Sequence, residues 1–383
     1  MKILYHHRTL GDGAEGIHIR EMVKAFRELG HEVKVIGPTG ETPGETSKKS
    51  KMLERVKRLI PHALYELLEI SYTGYCFWRT ARAIRSFKPD FIYDRYITFN
   101  AGTVQAGKMY GIPVCLEVNA PLAMERSVEQ DERLAFRKIA SRMERWICSN
   151  ATQTIVVSTP LKQYLESIGV PRGKCIVMPN GVDPVRFTPR AGDASLRNKL
   201  GIPKDDLVIG FTGILRPWHG LELLVDAFAN IVKSGHKAFL LVVGDGPYRE
   251  PLEKRVDELG IGRSICITGR IPHERVPDYV SLFDVAVSPR ATFYASPMKV
   301  IEYMALGKPV VVPATPNFFD IIDERKEGIT FAEGNATALE QALVFLCQYP
   351  ELRRELGIRA RQKVERRLNW RWNASDVCRR FSA

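Results

Sequence analysis

The chain has 383 residues, 45% hydrophobic and 26% charged, an ordinary globular composition that is too long for one core and sized for two domains. No uninterrupted apolar run reaches the roughly 20 residues that span a bilayer, and the apolar part of the opening MKILYHHRTLGDG is too short for a signal peptide. A net charge of +12 asks for an anionic partner, while seven scattered cysteines without a C-x-x-C indicate neither a disulfide framework nor a zinc site and fit a reducing cytoplasm.

Taken in chain order, short β-branched runs alternate with helical patterns. The first half offers strands at KILYHH (2–7), EVKVIG (32–37), FIYDRY (91–96), PVCLEVN (113–119), TIVVS (154–158) and KCIVMPNG (174–181). The second half offers LVIGFTG (207–213), FLLVVGDG (239–246), SICITG (264–269), VAVSP (285–289), PVVVP (309–313) and GITFA (328–332). Amphipathic stretches such as 17–29, 221–233 and 297–306 separate them. The alternation predicts α/β architecture with two parallel sheets, each covered on both faces. Domains are expected at 1–180 and 196–367, joined by a Pro- and Gly-containing linker at 181–195, with 368–383 as a closing helix.

Ligands of such sheets bind beyond the carboxyl ends of the strands, so the residues following each strand matter most. After the first strand come Gly11, Gly13 and Gly16, a loop that lets backbone approach a phosphate. No acidic residue ends the second strand, which argues against a redox dinucleotide. In FTGILRPWHG, Arg216 and His219 precede a helix start, suiting a phosphate or an ordinary surface loop. Gly244 in VVGDGP and Arg270-Ile271 in GRIPHERV continue the same edge, the latter as backbone for a flat base. In SPMKVIEYMALG, Ser296 is expected as N-cap, Pro297 as first helical residue, and Lys299 and Glu302 share a face. That pair reads either as a surface ion pair or as an anion site at a helix start. There is no Asp-any-Asp, H-E-x-x-H, Walker loop or G-x-S-x-G, so no dedicated metal site is expected. Zinc-finger spacing and RNP-type motifs are missing too, so nucleic acid is not the expected partner.

From GAEGIHIREMVKAFRELGHEV through VMPNGVD, FTGILRPWHGLELLVDAF and VVGDGP to SPMKVIEYMALGKPVV, the sequence resembles a retaining nucleotide-sugar glycosyltransferase of family 4, over nearly its whole length. The resemblance implies the GT-B fold: two facing Rossmann-like domains, an interdomain cleft, and a C-terminal helix crossing back to the first domain. It implies Glu302 on the donor ribose, and Gly13 and Gly16 against the donor phosphates. Arg216, His219, Gly244, Ser296, Pro297, Met298 and Lys299 fall around the diphosphate, and Arg270 and Ile271 at the base. The implied acceptor side has His18, Glu117, Asn119, Glu125 and Tyr294. Three positions depart from the family pattern. Tyr294 stands where the motif's first Glu would be, Ile214 and His219 replace the usual Arg and Lys, and Asn119 replaces a frequent His. Arg216 offers a substitute cation.

The implied reaction moves a hexose from a UDP- or GDP-linked donor to a sugar or lipid-linked acceptor, in polysaccharide or glycolipid biosynthesis. Arg216, Lys299 and Glu302 are its expected catalytic set, with no cofactor and no metal. Rival readings are a nucleotide-sugar epimerase or phosphorylase on this fold, or a non-catalytic nucleotide-binding module. Finally, 48–58 holds six basic side chains and one acid, followed by an apolar and aromatic run to Trp78. It reads either as a solvated loop before packed helices or as a peripheral contact with the inner face of an anionic membrane.

Overall fold

The computed structural model describes residues 1–9, 14–38, 60–128 and 134–382. Gly13 and the basic stretch 48–58 lie outside the described residues. The chain forms two compact units, Met1–Pro179 with Trp370–Ala383, and Asn180–Asn369.

The first unit holds six parallel strands, β1 (Lys2–His6), β2 (Glu32–Ile36), β3 (Phe91–Arg95), β4 (Val114–Val118), β5 (Gln153–Val156) and β6 (Cys175–Val177), in the order β2-β1-β3-β4-β5-β6. The strand order reverses between β1 and β3, the point where a doubly wound sheet opens a crevice at its carboxyl edge. β4 is buried along its whole length, as expected of an interior strand with helices on both faces. β6 is shorter than the sequence suggested, because Pro179 brings no N–H to continue a ladder. Tyr5 stacks on Tyr93 at 5.0 Å, and Phe26 meets Phe91 and Tyr93 edge-on. The C-terminal helix Trp370–Arg380 belongs to this unit. Phe381 stacks on Phe91 at 4.8 Å, and Trp370 meets His18 of the helix Ala14–Glu28 edge-on at 4.5 Å.

The second unit repeats the plan with β7 (Leu207–Thr212), β8 (Ala238–Val243), β9 (Ile265–Ile267), β10 (Val285–Val287), β11 (Val310–Pro313) and β12 (Gly328–Phe331). The order is β12-β11-β10-β7-β8-β9, all parallel, so its crevice opens between β7 and β10. Residues 181–195 read as a linker from sequence. Here Val182 and Phe187 sit in the second unit's core, and Arg361 donates to the carbonyls of Pro184, Phe187 and Ala305.

Candidate functional site

The crevice of the second unit is built by two glycine-ended strands and one helix. Past β7, Gly213 has φ +142, and past β8, Gly244 has φ +145, regions where an L side chain is strained. A Cβ on Gly244 would collide with the Gly213 carbonyl oxygen, so the two strand ends approach as only glycines can. The helix Met298–Ala305 is pinned to them by Tyr303, whose buried hydroxyl accepts the Thr212 N–H at 2.6 Å. Ser296 is not its N-cap. The Ser296 Oγ accepts the Asn180 N–H at 3.0 Å, while the Asn180 side chain donates to the Ser296 carbonyl. Pro297 takes the cap position, and no side chain caps the helix start. Val300 N–H bonds back to the Pro297 carbonyl at 3.0 Å, and no side chain takes the N–H groups of Met298 and Lys299 before it, a helix start that favours an anion.

Lys299 occupies this opening. Part of its stem reaches solvent, but Nζ does not, and it makes no hydrogen bond among the described residues. The ammonium lies 4.2 Å from the centre of the Phe211 ring, and 3.0 Å from where a Cβ on Gly213 would stand. Any side chain at 213 would crowd it. Burial lowers its pKa to about 7, against the opposing pull of Glu302. His219 lies beside it. Burial, then the charges of Lys299 and Arg216, hold the imidazole neutral with a pKa of about 3, and its buried Nδ1 has no partner among the described residues. The Arg216 guanidinium lies 5.3 Å from the Trp218 ring. A neutral imidazole, an unpaired ammonium and an uncapped helix start make a receptor for an oxyanion.

Glu302, on the same helix and nearly buried, accepts a hydrogen bond from His273 Nε2 at 3.1 Å. Arg186 Nη2 stands 2.7 Å from His273 Nδ1, and because a guanidinium only donates, Nδ1 accepts and the ring proton sits on Nε2. Arg361 fixes the segment that carries Arg186. This Arg186–His273–Glu302 chain leaves Glu302 Oε2 for hydroxyl donors. Arg270 is exposed and Ile271 half-buried at the turn after β9, and Met298 opens the helix. Tyr294 lies in the second unit, edge-on to Phe293, in a loop whose Thr292 and Ala295 carbonyls accept from Asn317.

In the first unit the sequence-derived residues meet at the ends of β3 and β4. His18 Nε2 lies 3.2 Å from Glu117 Oε1, and Arg95 donates to both, 2.9 Å to His18 Nδ1 and 3.0 Å to Glu117. Tyr93 and Asn119 also donate to Glu117. Burial alone would raise the Glu117 pKa, but His18 and Arg95 hold it below the usual carboxylate range. Burial lowers His18 to about 4. His18 is therefore neutral, with both nitrogens engaged, and it positions Glu117. Gly16 lies in the second half-turn of the helix Ala14–Glu28, and Glu125 is half-buried on the helix Leu122–Val128.

Sequence reading gave Lys299, Glu302, Arg216 and His219, which the second unit brings together. It missed Arg186, His273, Phe211 and Arg95. His273 had a local signal, its place just after β9. Arg186 had none, since its partner is 87 residues away. Among the described residues no three His, Cys, Asp or Glu side chains converge as metal ligands.

Two family descriptions match, "Glycosyltransferase Family 4" over residues 15–186 and "Glycosyl transferases group 1" over 193–363. The chain is 26% identical over 247 residues to 2-deoxystreptamine glucosyltransferase of Streptomyces kanamyceticus, covering 63% of each chain. It is 25% identical over 223 residues to alpha-monoglucosyldiacylglycerol synthase of Acholeplasma laidlawii, covering 57% of this chain and 55% of that one. The chain thus spans less than two thirds of the length of these curated relatives. Among solved structures, Anabaena HepE in complex with UDP superposes with a TM-score of 0.75 at 17% identity, covering all of both chains. The two parallel sheets and the returning C-terminal helix are those of the GT-B fold.

Proposed function

We propose, for a chain that belongs to glycosyltransferase family 4, that it moves a hexosyl group from a nucleoside diphosphate sugar to an acceptor hydroxyl with retention of anomeric configuration. The observation that carries this reading is the Lys299 ammonium, buried and unpaired beside the uncapped helix start. An unpaired buried cation is costly unless an anion meets it or it loses its proton. A diphosphate meets it, and Glu302 Oε2, oriented by His273, takes the ribose hydroxyls. The Gly213–Gly244 approach leaves room for phosphate oxygens against backbone.

In the reaction the bond from the anomeric carbon to the diphosphate oxygen breaks while the acceptor oxygen bonds to that carbon from the same face. The acceptor proton passes to the departing phosphate oxygen. Lys299 and Arg216 stabilise the charge that develops there. Turnover is therefore expected to persist in EDTA. The donor nucleotide proposed is UDP, which HepE binds, or GDP.

The acceptor is a sugar or lipid-linked hydroxyl. The relatives named above act on a 2-deoxystreptamine and, by name, make a glucosyldiacylglycerol. In the first unit, Asn119 and Glu125 are the side chains proposed to meet it, with His18 and Glu117 positioning Asn119. No helix among the described residues is long and apolar enough to cross a membrane, and the basic sequence before Trp78 supports peripheral contact with an anionic surface.

A thermal-shift panel of UDP- and GDP-hexoses tests this, since a ligand that binds only the folded state raises apparent stability. One nucleotide series should raise the midpoint, followed by diphosphate release with acceptor present. A panel without any stabilising nucleotide would overturn the reading, and conversion of the donor without acceptor would favour an epimerase.

A further inference from the structure

The first unit carries a second cationic site that the donor reading does not use. Arg8 stands two residues past the end of β1, at the point where the strand order reverses. Its guanidinium carbon lies over Tyr72, 4.3 Å from the ring centre. Among the described residues the carboxylate paired with it, Glu69, is 3.8 Å away, beyond hydrogen-bond reach, and is already engaged by Arg126 at 2.8 Å. Two arginines thus share one carboxylate, all three largely buried, and Arg8 Nη1 is buried with no hydrogen bond among the described residues. A buried donor left unmet is unfavourable, because it has given up water without gaining an acceptor. Arg8 thus has a carboxylate near it but beyond hydrogen-bond reach, and a buried donor with no acceptor among the described residues.

The helix that supplies Tyr72 and Glu69, His62–Phe87, buries Cys76, Ala81, Ala83 and Ile84 in its second half, but its first half is turned inside out. Its acids Glu66 and Glu69 face inward, while Leu64, Leu67 and Leu68 are each about half exposed. Glu66 fixes this orientation by accepting the N–H groups of Ala135 and Phe136 at 2.6 and 2.9 Å, so the helix cannot roll to bury its leucines. The spacing 64, 67, 68, 75, 78 is one helical face, completed by exposed Tyr75 and Trp78. Tyr72 joins the two features. It meets the Arg8 guanidinium and also contacts Tyr75, 5.2 Å between ring centres. An anion receptor and a bare apolar stripe are therefore continuous.

We propose that Arg8, beside Arg126, binds a phosphate-type oxyanion of an amphiphilic acceptor whose apolar chain lies along Leu64, Leu67 and Leu68. This rests on the transferase reading and narrows its acceptor to a lipid phosphate. A neutral glycolipid would leave Arg8 unmet, and free phosphate would leave the stripe bare.

The test titrates the full chain with dodecyl phosphate, dodecyl maltoside and inorganic phosphate, the two amphiphiles below their critical micelle concentrations. Dodecyl phosphate should bind at least tenfold tighter than either control. Arg8→Gln should weaken dodecyl phosphate at least tenfold. Leu67→Gln with Leu68→Gln, both at exposed positions, should weaken it similarly while leaving inorganic phosphate unchanged. UDP and GDP are titrated separately, so a failure of the donor reading shows as absent nucleotide binding in the wild type, whatever dodecyl phosphate does. Equal dodecyl phosphate affinity in wild type and Arg8→Gln would overturn the proposal. So would loss of nucleotide binding alone in Arg8→Gln, which would give the guanidinium to the donor. A wild-type dimer that the leucine variant dissociates in sedimentation would also overturn it, by assigning the stripe to a second copy.

Discussion

The ammonium of Lys299 lies 4.2 Å from the centre of the Phe211 ring and makes no hydrogen bond among the described residues. The ring face gives it some electrostatic support, but not a counter-charge. Its pKa is depressed to about 7 from the 10.5 of a free lysine. Between those values the unfolded chain binds the proton that the fold sheds, so stability contributed here rises with pH. Below pH 7 the buried charge is a cost. Lys299→Met is accordingly expected to raise the melting temperature of the ligand-free protein at pH 6, by a few degrees, and much less at pH 9. Calorimetric melting at the two pH values checks it, and a lower midpoint at pH 6 would contradict it.

Glu302 and His273 should act as one unit. Glu302→Ala is expected to weaken nucleoside diphosphate binding by about 1.5–3 kcal/mol, the range for hydrogen bonds to a charged group. His273→Ala should cost less, and the double variant about as much as Glu302→Ala alone, since the imidazole acts through the carboxylate. Titration with the 2′,3′-dideoxy nucleotide is the control. The variants should bind it as the wild type does, and full additivity would break the proposed chain.

Gly244→Ala probes the approach of the two strand ends. The residue sits at φ +145, and a Cβ there meets the Gly213 carbonyl. Strain in this region costs about 1–3 kcal/mol before the collision is counted. A loss of at least that size in urea denaturation is expected, with diminished nucleotide binding in the folded fraction. A neutral substitution would mean the glycines do not shape the crevice.

His18 sets a pH dependence in the first unit. Its pKa in the fold is about 4, against 6.5 for an ordinary histidine, so between those values the unfolded chain takes up a proton that the folded one refuses. Stability therefore falls as pH drops from 6.5 toward 4. His18→Gln should flatten that slope, measured by urea midpoints between pH 4.5 and 7. Asn119→Ala, beside the same network, should impair transfer more than donor binding.

The charge pattern at 48–58 should give salt-sensitive binding to vesicles of anionic phospholipid. At about 1 kcal/mol per basic residue near the surface, six suffice for reversible attachment at low salt. Co-sedimentation should drop sharply at high salt. Equal partitioning onto neutral vesicles would contradict the electrostatic reading.

Much of this was legible in the sequence, because its signals are local. Twelve β-branched runs separated by helical periodicity predict two parallel sheets, and every run became a strand. Lys299 and Glu302 were readable because three-residue spacing puts them on one helix face. What could not be read is long-range. Ser296 looks like an N-cap by type and position, but the Asn180 N–H, 116 residues away, takes its hydroxyl. His273 reaches Glu302 across 29 residues and Arg186 across 87. The 181–195 segment is rich in loop formers, yet Phe187 is buried in the core and its carbonyl is gripped by Arg361. Local composition reports propensity and says nothing of tertiary partners.

The central claim is that Lys299 holds a donor diphosphate, and calorimetric titration of UDP and GDP at pH 6 and pH 8, in two buffers of different ionisation enthalpy, tests it most directly. A bound diphosphate restores the ammonium's partner and raises its pKa, so above pH 7 binding must take up a proton. One nucleotide should bind the wild type at both pH values, more weakly at pH 8, with proton uptake appearing only there. Lys299→Met should bind that nucleotide at least tenfold more weakly at pH 6 and take up no proton at pH 8. Equal affinity in wild type and variant, or identical proton uptake, would contradict the claim.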